Sequence, residues 1–128
     1  MRLLLDTHVF LWALMTPGKL SQTSRKAIES LQNSLYISAA SAWEVATKAR
    51  LGRLTGAEAA VQGFQSHIRR MGAVELPITV EHALLAGRLP HPHRDPFDRM
   101  LAAQALLEGL VMVTSDPVFS DMGISVLW

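Results

Sequence analysis

No cysteine occurs in this sequence, so neither a disulfide nor a thiolate metal site is open to it. A reducing compartment is therefore permitted. Excess charge is scarce as well: 12 basic against 11 acidic residues leave a net charge of +1. That balance excludes a polybasic tail but not a basic groove, because charge can be sorted by face. Long apolar runs are missing. Leu3-Leu4-Leu5 is cut off by Asp6, and the stretch from Val9 to Met15 is far short of the ~20 residues a membrane span needs. No small-residue cleavage site follows that stretch, as a signal peptide would require. The expectation is a soluble cytoplasmic protein with no membrane contact. Repeats, low-complexity segments, a glycine-rich phosphate loop and a G-x-S-x-G elbow are all absent.

What is present is enough for one domain, spanning 1–128, with a real core: 49% of the 128 residues are apolar. Leu3–Leu5 has the character of a strand buried on both faces. Thr7 is placed to cap a helix over residues 9–15, which Pro17-Gly18 ends. Ser21 caps a second helix, with Ala27, Ile28 and Leu31 on one face. Leu35–Ile37 is a second strand, and a third helix runs over residues 40–51 to Gly52. A fourth helix is expected over residues 57–71, with Val61, Phe64 and Ile68 in one stripe. Val74–Leu76 is a strand, and a short helix follows over 80–87. Asp95-Pro96 opens a strong helix to Glu108. Val111–Val113, a turn or short helix at Asp116-Pro117, and a last strand over 124–127 complete the order. Strands alternating with helices predict an α/β fold with a mostly parallel sheet covered on both faces. Such sheets bind ligands at the carboxyl ends of their strands, where strand order reverses.

That rule directs attention to the acids. Glu29, Glu58, Glu75, Glu81, Glu108 and Asp121 sit where solvated surface acids sit. Asp6 instead ends an apolar strand; its bland role would be a helix cap, but Thr7 beside it could serve there. Glu44 lies in the otherwise apolar Ala42-Trp43-Glu44-Val45-Ala46, with Lys48 four residues on as a possible surface partner. Asp95 has the pattern of an N-cap, Pro96 of the first helical residue, and Asp98 of an acid in the first turn. Taken alone, Asp98 is as readily structural as functional. Asp116-Pro117 is a second cap-then-proline pair, yet Asp116 also ends an apolar strand, after Thr114 and Ser115. Four carboxylates brought to one edge would repel and could not all stay ionised. A divalent cation resolves that conflict, and Mg²⁺ and Mn²⁺ favour carboxylate and water oxygens. Such ions activate water and neutralise phosphate charge, the chemistry of nucleases and phosphatases.

The five histidines offer less. His91 and His93 are two apart in a loop, with no cysteine or H-E-x-x-H pattern to make a zinc site. Trp12, Trp43 and Trp128 have the character of core or interface anchors.

Four segments together resemble the PIN-domain family: Leu3-Leu4-Leu5-Asp6-Thr7-His8; Ser41-Ala-Trp-Glu44-Val-Ala-Thr-Lys48 with Leu51-Gly52-Arg53-Leu54; Asp95-Pro-Phe-Asp98-Arg-Met-Leu-Ala-Ala-Gln104; and Val113-Thr114-Ser-Asp116. The resemblance covers essentially the whole chain and is strongest to the VapC-type ribonucleases of toxin–antitoxin pairs. It implies a central parallel sheet of about five strands flanked by helices, and Mg²⁺- or Mn²⁺-dependent cleavage of RNA. It implies that Asp6, Glu44, Asp98 and Asp116 form the metal site, supported by Thr7, Thr114 and Asp95, with Asp98 favoured over Asp95 as the third acid. It also implies a homodimer and a cognate antitoxin protein that covers the groove. Arg50, Arg53, Arg94 and Arg99 are candidate phosphate contacts. Two other readings compete. One is a binding module of the same fold without catalysis. The other is an aspartate-based phosphoryl-transfer enzyme, which would want a second acid where His8 stands, or a late lysine that is missing.

Overall fold

In the computed structural model, which describes residues 1–128, Leu3, Leu4 and Leu5 are each fully buried. They form β1 (Arg2–Leu5), the middle strand of a five-stranded sheet in the order β3-β2-β1-β4-β5. Its neighbours are β2 (Ser34–Ser38) and β4 (Val111–Val113), and β3 (Val74–Leu76) and β5 (Val126–Leu127) form the edges. All four pairings are parallel. Alternate side chains of β1 enter different cores, as the two-residue period of a strand dictates. Leu3 and Leu5 pack with Phe10, Ile37, Val45 and Ile68, while Leu4 packs with Leu101, Met112 and Phe119. A central parallel strand covered on both sides therefore needs an unbroken apolar run, as here.

Helices α1 (Thr7–Met15), α2 (Gln22–Glu29), α3 (Ala39–Leu51), α4 (Ala57–Val61) and α5 (Phe64–Arg70) follow the strands, with a short 3₁₀ turn at Pro17–Lys19. Then come α6 (Val80–Arg88), α7 (Pro96–Glu108) and α8 (Pro117–Asp121). Ser21 caps α2 as its sequence position requires, accepting from Ser24 N–H at 3.0 Å. Asp95 caps α7, accepting from the N–H groups of Phe97 (2.9 Å) and Asp98 (3.1 Å).

Four local expectations are corrected. Leu31 lies beyond the end of α2 at Glu29 and is fully exposed, so it does not share the face of Ala27 and Ile28. Residues 57–71 form two helices, because Gln62 is extended and Gly63 takes a left-handed φ of +69° that turns the chain. Val61, Phe64 and Ile68 still reach one core, so the stripe was a true signal of burial without being a signal of continuity. The last strand is only Val126–Leu127; Ile124 is buried in the turn beneath α8 instead. Thr7 does not cap α1. It is the first helical residue, buried, and its hydroxyl lies 2.9 Å from Ser41 Oγ.

The chain leaves β1 toward β2 and β3, then crosses back to β4 on the other side of β1. Strand order reverses at β1, and the crevice beyond the carboxyl ends of β1 and β4 is where such a sheet takes a ligand.

Candidate active site

Asp6 stands at that crevice. Its N–H continues the ladder to Val113 O at 3.1 Å, which fixes the residue at the seam between β1 and β4. Asp6 occupies the N-cap position of α1, yet its side chain makes no capping bond. The carboxylate turns to Thr114, whose Oγ1 donates to Asp6 Oδ2 at 2.8 Å. Burial pushes the Asp6 carboxyl above its ordinary range; the Thr114 bond and the nearby His8 oppose that shift, and the charge of Glu44 adds to it.

Glu44 lies on α3, which Ser38 caps at the end of β2 by accepting from Ala40 N–H. The Thr7–Ser41 contact ties the start of this helix to α1. Glu44 is 3% exposed, so the surface ion pair expected with Lys48 is in fact a pair with a buried acid. Lys48 Nζ takes Oε2, and Oε1 is the sole buried side-chain oxygen or nitrogen of the protein without a hydrogen-bond partner. An ionised carboxylate oxygen held out of water with no donor is costly, and such an atom calls for a cation or a ligand.

Asp98, on the first turn of α7, is half-buried and held by His93, whose Nε2 lies 2.8 Å from Asp98 Oδ2. Its pKa is pushed up to about 6, first by burial and then by the charges of Asp95, Asp6 and Glu44, against the hydrogen bond from His93. Asp6, Glu44 and Asp98 thus share one electrostatic neighbourhood, which three distant segments assemble. Asp95 adds its charge there, but its side chain is spent as the cap of α7.

Asp116 follows β4. It is exposed and caps α8 by accepting from Val118 N–H at 3.0 Å. Its link to the centre is through the backbone: Asp116 N–H donates to Thr114 Oγ1 at 3.0 Å, and the same hydroxyl donates to Asp6.

No three Asp, Glu or His side chains are arranged to hold one ion directly. The donor set still fits a small hard cation, since Mg²⁺ keeps several waters and is bound through one or two carboxylates plus substrate phosphates. The unpartnered Glu44 oxygen and the desolvated Asp6 are the two groups such a cation would relieve. His91 and His93 are engaged with Asp121 and Asp98, respectively.

Among the arginines, Arg99 is corrected: its guanidinium is consumed by backbone carbonyls and cannot also bind phosphate. Arg50, Arg53 and Arg94 are exposed, and Arg53 lines a groove with His8, Trp12 and Lys19. His8, which lines this groove, also opposes the upward shift of the Asp6 carboxyl. Trp43, one residue before Glu44, is 54% exposed and meets the Phe97 ring edge-on at 4.6 Å. Ser41 and His93 were not singled out as site residues from sequence, and each acts through a contact that no spacing rule announces; the Lys48 contact with Glu44 is the i, i+4 pair that the helical spacing offered.

A family model of the PIN domain matches residues 3–124. The chain belongs to the PIN-domain family. This PIN domain is 38% identical over 65 residues to ribonuclease VapC16 of Mycobacterium tuberculosis, a match covering 51% of the chain but only 45% of that protein. It is 34% identical over 117 residues to ribonuclease VapC22 of the same organism, covering 88% of the chain and 85% of the relative. Among solved structures, VapBC2 from Rickettsia felis bound to a DNA fragment from its promoter aligns with a TM-score of 0.71, covering 99% of this PIN domain and 98% of the matched chain. Identity there is 14%, so that likeness carries the fold, the parallel five-stranded sheet included. No helix is long and apolar enough to cross a membrane.

Proposed function

We propose that this PIN domain, residues 1–128, is a divalent-metal-dependent endoribonuclease and the toxin of a toxin–antitoxin pair, working in the cytoplasm. The observation that carries the metal-site reading is the convergence of Asp6, Glu44 and Asp98, with one Glu44 oxygen buried and unpartnered. The relatives named as ribonucleases support the RNA substrate, and the VapBC2 complex supports an antitoxin partner.

Asp6, Glu44 and Asp98 would hold Mg²⁺ or Mn²⁺, directly or through water, with Asp116 completing or orienting the shell. When bound, the cation supplies activation of water and neutralises charge on the scissile phosphate. The chain's own residues do the rest. Thr114 orients Asp6 by donating to Oδ2, and Asp116 fixes Thr114 from behind through its N–H. Lys48 fixes Glu44 by taking Oε2 and leaves Oε1 without a partner. Lys19 and Arg53 give the groove beside α1 the cationic character that a phosphate backbone requires. No protein nucleophile is needed. The family habit of dimerising extends the proposal to a homodimer.

The test is purified protein, freed of any partner, incubated with structured cellular RNA in Mn²⁺, Mg²⁺ or EDTA, beside Asp6→Asn. Discrete cuts that need metal and vanish in the variant are expected. Cutting by Asp6→Asn at the wild-type rate would sink the assignment.

A further inference from the structure

We propose that His93 is a positioning residue for Asp98, and that Arg99 exists to hold the loop that presents it. The inference rests on the reading above that Asp98 helps to hold the cation. It goes beyond that reading by giving a task to a histidine outside the acid set.

The loop of residues 89–95 has no helix or strand of its own. One guanidinium orders it instead. Arg99 follows Asp98 on α7. Its Nε donates to Ala86 O at 2.9 Å, Nη1 to His91 O at 2.7 Å and His93 O at 3.0 Å, and Nη2 to Leu89 O at 2.8 Å and Gly87 O at 3.5 Å. A guanidinium has five N–H groups in a rigid fork, and here each has a carbonyl. A second tie runs to α8: His93 N–H donates to His91 Nδ1 at 3.1 Å, which places the His91 proton on Nε2, 2.8 Å from Asp121 Oδ2.

The imidazole so presented has Nε2 2.8 Å from Asp98 Oδ2. A carboxylate accepts, so Nε2 donates, and the bond selects one orientation of the carboxyl plane. Adjacent residues of α7 therefore grip the same loop twice, Arg99 by its backbone and Asp98 by its imidazole. Hydrogen bonds that orient a ligating carboxylate are worth roughly 10- to 100-fold in metal affinity or activity.

The test is a Mn²⁺ titration of the metal-free protein, followed by electron paramagnetic resonance, for wild type, His93→Ala, His93→Gln and Asp98→Asn. Asp98→Asn is expected to weaken Mn²⁺ binding. His93→Ala is expected to weaken it about tenfold or more. His93→Gln keeps an N–H donor and is expected to restore most of the affinity, with a melting temperature close to wild type. Should His93→Ala fold poorly, His93→Phe fills the space without a donor at Asp98 and carries the same expectation. Wild-type affinity in the donor-less variants, alongside a weakened Asp98→Asn, would overturn the positioning role and leave the metal site standing. Wild-type affinity in Asp98→Asn would overturn the metal reading itself, and this inference with it. Nitrogen modulation on bound Mn²⁺ that disappears in His93→Gln would make His93 a direct ligand and overturn the positioning role.

Discussion

Thr114 Oγ1 and Asp6 Oδ2 meet at 2.8 Å across the seam between β4 and β1, joining residues 108 apart in the chain. The hydroxyl passes the contact on, since it also accepts from Asp116 N–H. Thr114→Val keeps the shape but removes both roles. Leaving a buried acceptor without its donor costs about 1–3 kcal/mol. Chemical denaturation of the metal-free protein is expected to show a loss of that size, and Thr114→Ser to recover most of it. A Thr114→Val as stable as wild type would mean that Asp6 does not depend on this bond.

Asp6 itself opposes folding when ionised. Its carboxyl is pushed up by burial and by Glu44, so above its folded pKa the native state carries a charge that water would solvate better. Asp6→Asn removes that charge without changing the outline of the side chain. The expected outcome is a higher melting temperature than wild type at pH 7.5 without metal, combined with loss of RNA cleavage. A lower melting temperature would show that the ionised carboxylate is satisfied by the protein alone.

The pH dependence follows from Asp98. Folded, it holds its proton up to about pH 6; unfolded, it releases the proton near the ordinary value of 3.8. Between those values the native state binds more protons, so this group makes metal-free stability fall as pH rises through the window. Below it the penalty is gone. Mn²⁺ competes with the same proton, so its binding is expected to strengthen with rising pH over the same range. Asp98→Asn should flatten that part of both profiles, as read by melts and by titration at a series of pH values. Profiles unchanged by the substitution would remove Asp98 from the account.

Asp95 and Asp98 can be separated by one pair of variants. Asp95 accepts from two backbone N–H groups at the start of α7. Asp95→Ala is expected to cost about 0.5–2 kcal/mol of stability, while Asp95→Asn, an equally good cap, costs little. If Asp95→Asn retains cleavage where Asp98→Asn loses it, the third acid is Asp98. The reverse pattern would exchange their roles.

Much of this was legible in the residues. The unbroken Leu3–Leu5 run announced a doubly covered strand, and the Asp95-Pro96 pair announced α7, because burial and capping are local demands that local sequence must meet. Gly63 was harder, since the apolar stripe across it kept its spacing while the chain turned. Asp6 and Glu44 were legible as acids out of place, whereas Asp98 fitted a first-turn acid equally well, and the mutual repulsion of the three required the sheet order. Thr7 and Arg99 were misassigned for one reason: a hydroxyl or a guanidinium has several good partners, and the choice is made by what the tertiary fold brings near. Thr7 met Ser41, and Arg99 met a loop of free carbonyls.

The position of β1 in the sheet has a temporal consequence. During synthesis β1 is made before the other strands, yet β4, its partner on one side and the strand that leads into Thr114, follows only after β2 and β3. Until β4 docks, one side of the middle strand has no ladder, and Asp6 has neither Val113 O nor Thr114 to hold it. A ribosome-bound nascent chain that has displayed Asp6, Glu44 and even Asp98 therefore has no assembled centre. The acid cluster of this PIN domain is therefore completed only when the segment carrying β4 has folded back beside the first strand.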